Sequence, residues 1–306
     1  MQYGEISLDD IYLSRFQKIV DIDNDGVNEV LVTGEDIEKT NRNKYNRIVC
    51  FNNKGKVIWE YWFKDKINTQ KEKLNGIYRY SLIVNVVEKK HRKELYLYAN
   101  NFDSFAGVIF KLDLKTGKRL EGVFWNSGHI QNAIIDDYNH DGKLELICNS
   151  YNNSYEKCGV FIIDIDRFSG RSPAIKGYNF YGYGIPDFET YILIPNSDYN
   201  KYLNYRNNVI SGGSLKLSEN GNKITFTASE DIRYFGMAGI IYYLSPNLKD
   251  FDIVIGSTFR VLRDTLVAHG KLKLKIPTDS PEYCNWLKSQ ILYWNGNKFV
   301  KREELN

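Results

Sequence analysis

Methionine is nearly missing from this chain, with two in 306 residues, alanine is sparse, and long stretches of helical hydrophobic periodicity are wanting. Those shortages exclude an all-helical architecture. Cysteine is scarce too. Cys50, Cys148, Cys158 and Cys284 form no CxxC pair and no zinc-ligand spacing, so a zinc module is excluded and they read as small buried hydrophobes. Cys148 and Cys158 are placed to face each other on adjacent strands. No apolar run reaches the length of a membrane span, and residues 1–10 lack the basic start and apolar core of a signal peptide. The chain as it stands therefore reads as soluble and unexported, and a domain trimmed from a longer exported protein would look the same. The formal net charge is only +3, with lysines scattered among carboxylates, which gives no nucleic-acid footprint. Catalytic signatures are also wanting. The four histidines, His91, His129, His140 and His269, stand in no Ser/His/Asp or HExxH context. The glycine pair in Ser211–Ser214 precedes a strand rather than a helix and lacks the lysine of a phosphate loop, so it reads as a turn.

What the chain does have is tyrosine, asparagine and short β-branched runs, which together favour an all-β fold. It also has two copies of one acidic pattern. Asp21, Asp23, Asp25, Gly26 and Glu29 recur as Asp137, Asn139, Asp141, Gly142 and Glu145, each set flanked by short apolar runs. Oxygen side chains thus fall at positions 1, 3, 5 and 9, with glycine at position 6 where the chain must turn sharply. Carboxylates crowded this closely repel one another unless a hard cation lies between them, so the pattern reads as a Ca²⁺ loop. An EF-hand is excluded. Its glutamate at position 12 is replaced by Val32 and Cys148, and strand-like segments follow where helices would be needed. The competing explanation is an acidic β-turn, since turns favour Asp and Gly on their own account.

The surroundings of these loops repeat as well. Glycine hairpins are expected at Gly55, Gly117 and Gly170, with weaker relatives at Gly221 and Gly296. Between the two acidic copies lies a degenerate one, residues 86–94, in which lysines, Arg92 and His91 stand where a metal would sit, so the protein's own cations would replace it. Strand, loop, strand, loop, strand, glycine turn, strand is the plan of one four-stranded propeller blade. The expectation is therefore a single β-propeller domain over 1–306 with about five blades, six or seven also being open. The candidate intervals are 14–63, 80–125, 130–180, 188–229 and 235–302. A helical insert near 257–289 decorates the last of them: one helix capped by Ser257 and stopped at Gly270, and a second opening at Ser280 and Pro281. Their expected task is to cover a strand edge.

These residues resemble the FG-GAP or VCBS-type repeat family, the propeller blades of integrin alpha subunits and of many bacterial surface proteins. The resemblance rests on the two acidic loops and on the hairpins at Gly55, Gly117 and Gly170, and covers the first half of the chain better than the second. It implies calcium between the first two strands of a blade, with the backbone carbonyls of Val27 and Lys143 as further ligands. Seven blades are usual in the family, more than this chain has material for. It also implies a recognition surface on the face opposite the calcium loops, here gathering Phe102, Phe105, Trp125, His129, Tyr151, Tyr155, Tyr178, Phe180, Tyr181 and Tyr183, a set suited to sugar rings or extended peptides. Two functions follow: a non-catalytic calcium-binding module that recognises a protein or a glycan, and, as the alternative, a propeller-fold polysaccharide lyase or hydrolase using calcium. The resemblance places a trimmed domain of this kind outside the cytoplasm.

Overall fold

The computed structural model describes residues 16–34, 46–79, 81–175, 177–210, 214–218, 223–234 and 237–305. The residues read for a signal peptide, the turn at residues 211–213 and the hairpin glycine Gly221 lie outside them. The chain is mostly β and its strands form several antiparallel sheets. It divides into two compact units, one made of residues 1–126, 169–171 and 179–184, the other of 127–168, 172–178 and 185–306.

In the first unit, β1 (Gln17–Val20), β2 (Glu29–Gly34), β3 (Arg47–Phe51) and β4 (Val57–Trp62) pair in sequence order. A second sheet follows the same plan with β5 (Leu82–Lys89), β6 (Arg92–Asn100), β7 (Gly107–Asp113) and β8 (Arg119–Asn126). Residues 94–99 of β6 are all buried, the unbroken burial of a strand covered on both faces. The two sheets lock together through aromatics. Trp59 donates its indole N–H to the Leu114 carbonyl at 3.0 Å, and Phe63 stacks on Phe110 at 4.5 Å. The hairpins at Gly55 and Gly117 form, with φ of +75° and +66°, values that glycine adopts without strain.

The third expected hairpin does not form. Gly170 and Arg171 are a short strand, β12 (Gly170–Arg171), that pairs in parallel with Phe124 and Trp125 of β8. Asp164 accepts from the backbone N–H of Asp166 at 2.8 Å and so makes the turn that the sequence announces, but a turn does not choose the strand that its far side joins. The degenerate copy is also tighter than a nine-residue loop. β5 and β6 stay paired as far as Lys89 opposite Arg92, leaving Lys90 and His91 as a two-residue turn.

In the second unit, β9 (Ile130–Asp136), β10 (Glu145–Asn152), β11 (Lys157–Asp164) and β13 (Thr190–Ile194) pair successively, and β19 (Leu292–Trp294) and β20 (Phe299–Val300) extend the same sheet beyond β13. Another sheet holds β14 (Val209–Ile210), β16 (Ile224–Ser229), β17 (Gly239–Leu244) and β18 (Phe251–Ile255), with β15 (Lys216–Leu217) on β16. Residues 190–194 thus complete the third sheet rather than open the interval 188–229. The Gly296 hairpin belongs to that third sheet as well. Cys148 lies opposite Phe161 and Cys158 opposite Tyr151, so these two cysteines do not face each other; all four are free.

Both expected helices form. α1 (Asp198–Tyr202) is a short addition to them, and α2 (Ser257–Ala268) is preceded by Gly256 at the N-cap, which puts Ser257 one position inside. α3 (Pro281–Gln290) is capped by Ser280, whose side chain accepts from the Tyr283 N–H. Phe259, Tyr283 and Leu287 bury themselves with Phe226, Tyr242 and Phe251 in one apolar cluster, so the helices build core as well as shielding strands. Arg263 is fully buried and fully used: it makes two 2.9 Å bonds to Asp198, lies 3.9 Å over the Tyr283 ring, and donates to the carbonyls of Leu274 and Ile276. A buried guanidinium is tolerable only with its charge and donors met in this way. Among the described residues no helix is long and apolar enough to cross a membrane.

Candidate functional site

The two acidic loops join their strands in the same register. Val20 pairs with Glu29 across the first, and Asp136 pairs with Glu145 across the second. In each, the residue before the acidic ring ends its strand and the glutamate at position 9 begins the next. Their internal conformations match too. Position 4 takes a left-handed conformation in both (Asn24 at φ +66°, His140 at +59°), and so does the glycine at position 6 (Gly26 at +84°, Gly142 at +86°). The position-1 carboxylate accepts from the glycine N–H, Asp21 at 2.9 Å and Asp137 at 3.0 Å. The position-5 carboxylate accepts from position 7, Asp25 from Val27 at 2.8 Å and Asp141 from Lys143 at 2.9 Å. The carbonyl oxygens of Val27 and Lys143 accept no backbone hydrogen bond among the described residues.

The loops differ in how their charge is balanced. Asp21, Asp23 and Asp25 each bring a carboxylate oxygen to within 4.8 Å of the others. Neighbouring lysines answer part of that charge: Lys115 lies 3.4 Å from Asp23 and Lys93 donates to the Asp21 carbonyl at 2.6 Å. Desolvation raises the Asp21 carboxyl, but the N–H groups of Gly26, Asn24 and Asp23 and the charge of Lys93 together outweigh it and hold the group below its ordinary range. Glu29, buried at 6 % exposure, accepts from the Ile22 N–H at 3.1 Å.

In the second loop, Asn139 donates to Asp141 at 3.4 Å, and the Lys143 ammonium reaches Asp141 only at 4.0 Å. Glu145 is wholly buried, and among the described residues neither of its carboxylate oxygens has a hydrogen-bond partner. Desolvation first, then the negative charges of Glu189, Asp141 and Asp137, push it up to about 7. The Tyr138 backbone N–H opposes that rise from the position Ile22 holds in the first loop, without meeting hydrogen-bond geometry. Tyr138 instead binds Glu189 through its hydroxyl at 2.8 Å.

The degenerate copy supplies the contrast. Glu94, the counterpart of Glu29 and Glu145, is as deeply buried, but Arg92 approaches it at 2.6 Å, Lys111 at 2.9 Å and the Tyr96 hydroxyl at 3.0 Å. Desolvation raises its carboxyl, and these donors, Lys111 first, more than reverse the rise. Two cations thus neutralise Glu94, of which Arg92 belongs to the residues that the sequence singled out and Lys111 comes from β7, which the loop's own sequence could not reveal. A buried, unpaired carboxylate costs several kcal/mol. Among the described residues only Asp21, Asp23 and Asp25 bring their carboxylate oxygens within 4.8 Å of one another; Glu29 does not join them, and Asp137, Asp141 and Glu145 form no such group. The side chains of the second loop offer oxygens, the donor type that calcium takes.

The aromatic set divides between the units. Phe105, Trp125 and Phe180 are buried in the first, with Phe180 5.8 Å from Phe105 and 5.6 Å from Trp125, so they serve packing. Phe102, Tyr183 and the exposed Tyr181 belong to the same unit. In the second, Tyr155 packs on Phe299 at 4.8 Å, Tyr178 binds Arg206, and His129 and Tyr151 are half-buried. Sequence reasoning overlooked Trp62, which is half-exposed beneath two cations, Lys64 at 5.0 Å and Arg47 at 5.6 Å. The signal in the sequence is the pair Trp62 and Phe63 followed by Lys64 and Lys66.

No family model matches this chain, and a search of curated proteins returns no relative.

Proposed function

We propose that this chain is a non-catalytic, calcium-binding β-propeller of the FG-GAP or VCBS kind that recognises a protein or a glycan. The observation that carries the reading is Glu145, a buried carboxylate without a partner at the position where Glu94 has two cations. Asp137, Asn139, Asp141, the Lys143 carbonyl and Glu145 would hold one ion, and Asp21, Asp23, Asp25, the Val27 carbonyl and Glu29 another. Bound there, calcium supplies positive charge that pins the end of each hairpin. The sheets support the blade reading in that those spanning 17–62 and 82–126 each pair four strands in strict sequence order, and those spanning 130–194 and 209–255 do so except that β12 and β15 are passed over. Four blades would result, one fewer than the glycine count suggests, because residues 190–194 and 292–300 join the third sheet.

The enzymatic alternative draws less support. Burial pushes up the carboxyls of Glu145 and Glu230, but both are buried too deeply to touch a polysaccharide chain. Calcium added to chelated protein should raise the melting temperature, with stabilisation following RT ln(1 + [L]/Kd), about 2.7 kcal/mol at a hundredfold excess over Kd for one site. Replacing Asp25 and Asp141 together with alanine should abolish the response. A calcium response unchanged in that double variant, or none in the parent protein, refutes the assignment.

A further inference from the structure

The first unit holds a cleft of ≈ 400 Å³, within the roughly 300–1,000 Å³ of small-molecule sites. Its walls are Trp62, Phe63, Lys64, Lys66 and Ile77, and no lining side chain is acidic. Arg47 pairs with Trp62 across β3 and β4, whereas Val20 pairs with Glu29 at the other end of the same sheet. The cleft therefore lies at the end of its sheet remote from the acidic loop.

Its frame is fixed. Asn46 spends its amide on the Phe63 carbonyl and the Ser81 hydroxyl, Tyr78 donates to the Asp65 carbonyl at 2.8 Å, and Asn75 donates to Asp103 at 2.7 Å while accepting from the Ile77 N–H. Gly76 presses so close that a Cβ there would stand 2.8 Å from the Lys64 carbonyl and 3.1 Å from the Lys66 side chain. Two ammonium ions line the cleft, and among the described residues no carboxylate pairs with Lys64 or Lys66, although Asp65 between them is near enough for its charge to raise the Tyr78 hydroxyl; Asp103 is engaged by Asn75, and Arg47 is neutralised by Glu60 at 2.6 Å. The Lys66 ammonium and that of Lys64, 5.0 Å over the Trp62 ring, stand beside apolar walls sized for a ring and select an anion carried on a compact body.

The geometry points to this cleft as the binding site for an acidic saccharide, its carboxylate or sulfate held between Lys64 and Lys66 and its ring against Trp62 and Ile77. This deepens the glycan-recognition reading above and rests on it. Calorimetry on the whole chain would use a hyaluronan tetrasaccharide, its carboxyl-methylated ester and a chondroitin sulfate tetrasaccharide. At least one of the two acids binds; if it is hyaluronan, esterification weakens it tenfold or more. The double variant Lys64→Gln, Lys66→Gln, altered only at exposed side chains, loses tenfold or more in affinity while keeping its melting temperature. Binding that survives in this variant, or an ester equal to its acid, overturns the cleft and leaves glycan recognition elsewhere standing. No binding of either acid also overturns it, and a blank array of neutral and acidic glycans removes the glycan reading with it.

Discussion

At the scale of single residues, three glutamates in equivalent positions face three different balances. Glu29 borrows one backbone N–H, Glu94 has Arg92 and Lys111, and Glu145 has no hydrogen bond or ion pair among the described residues, only the nearby Tyr138 N–H. A carboxyl whose folded pKa is raised binds protons that the unfolded chain has already released. Metal-free protein should therefore lose stability as pH rises from the ordinary glutamate range through about 7 at Glu145. Glu145→Gln should flatten that slope in chelator and raise stability at pH 8 by on the order of 1–2 kcal/mol, as denaturant melts across pH would register. Lys111→Met should do the opposite at Glu94. It strips a counter-charge 2.9 Å from a buried carboxylate and should cost about 1–3 kcal/mol, calcium present or not. The acidic residues were legible in the sequence because spacing alone encodes them. The role of Lys111 and the setting of Trp62 were not, since both depend on partners brought from other strands.

Elements were legible where local chemistry decides them. The hairpins at Gly55 and Gly117 announce themselves by glycine between β-branched runs, and Ser280 followed by proline announces α3. Those two glycines nonetheless differ in their surroundings. A Cβ at Gly55 would meet open space, while one at Gly117 would stand 2.5 Å from the Trp59 ring. Gly55→Ala should cost about 1 kcal/mol from backbone strain, and Gly117→Ala about 2 kcal/mol more, because the indole that donates to Leu114 must shift. Thermal melts of the two variants would separate these costs. Gly170 carries the same local signature and makes no hairpin, because strand partnership is settled by which sheet edge is open rather than by the turn.

At the scale of the whole molecule, sequence read β content and helical insert well, and strand grouping poorly. The third sheet draws on residues 130–194 and then on 292–300, and no local pattern reports a pairing of that range. Tyr293 ties this late hairpin to the Lys249 carbonyl at 3.0 Å, and Arg302 pairs with Asp250. Removing residues 291–306 should therefore uncover the β13 edge, lower the melting temperature and promote association visible by light scattering. The same long-range pairing has a consequence for biosynthesis. Ile194 leaves the ribosome about a hundred residues before Leu292, a delay of some 5–20 s at ~5–20 residues per second. Throughout that interval a nascent strand of five buried residues stands with one side unpaired. The yield of soluble protein should thus depend on translation speed and on chaperones that shield this strand until its last partner emerges.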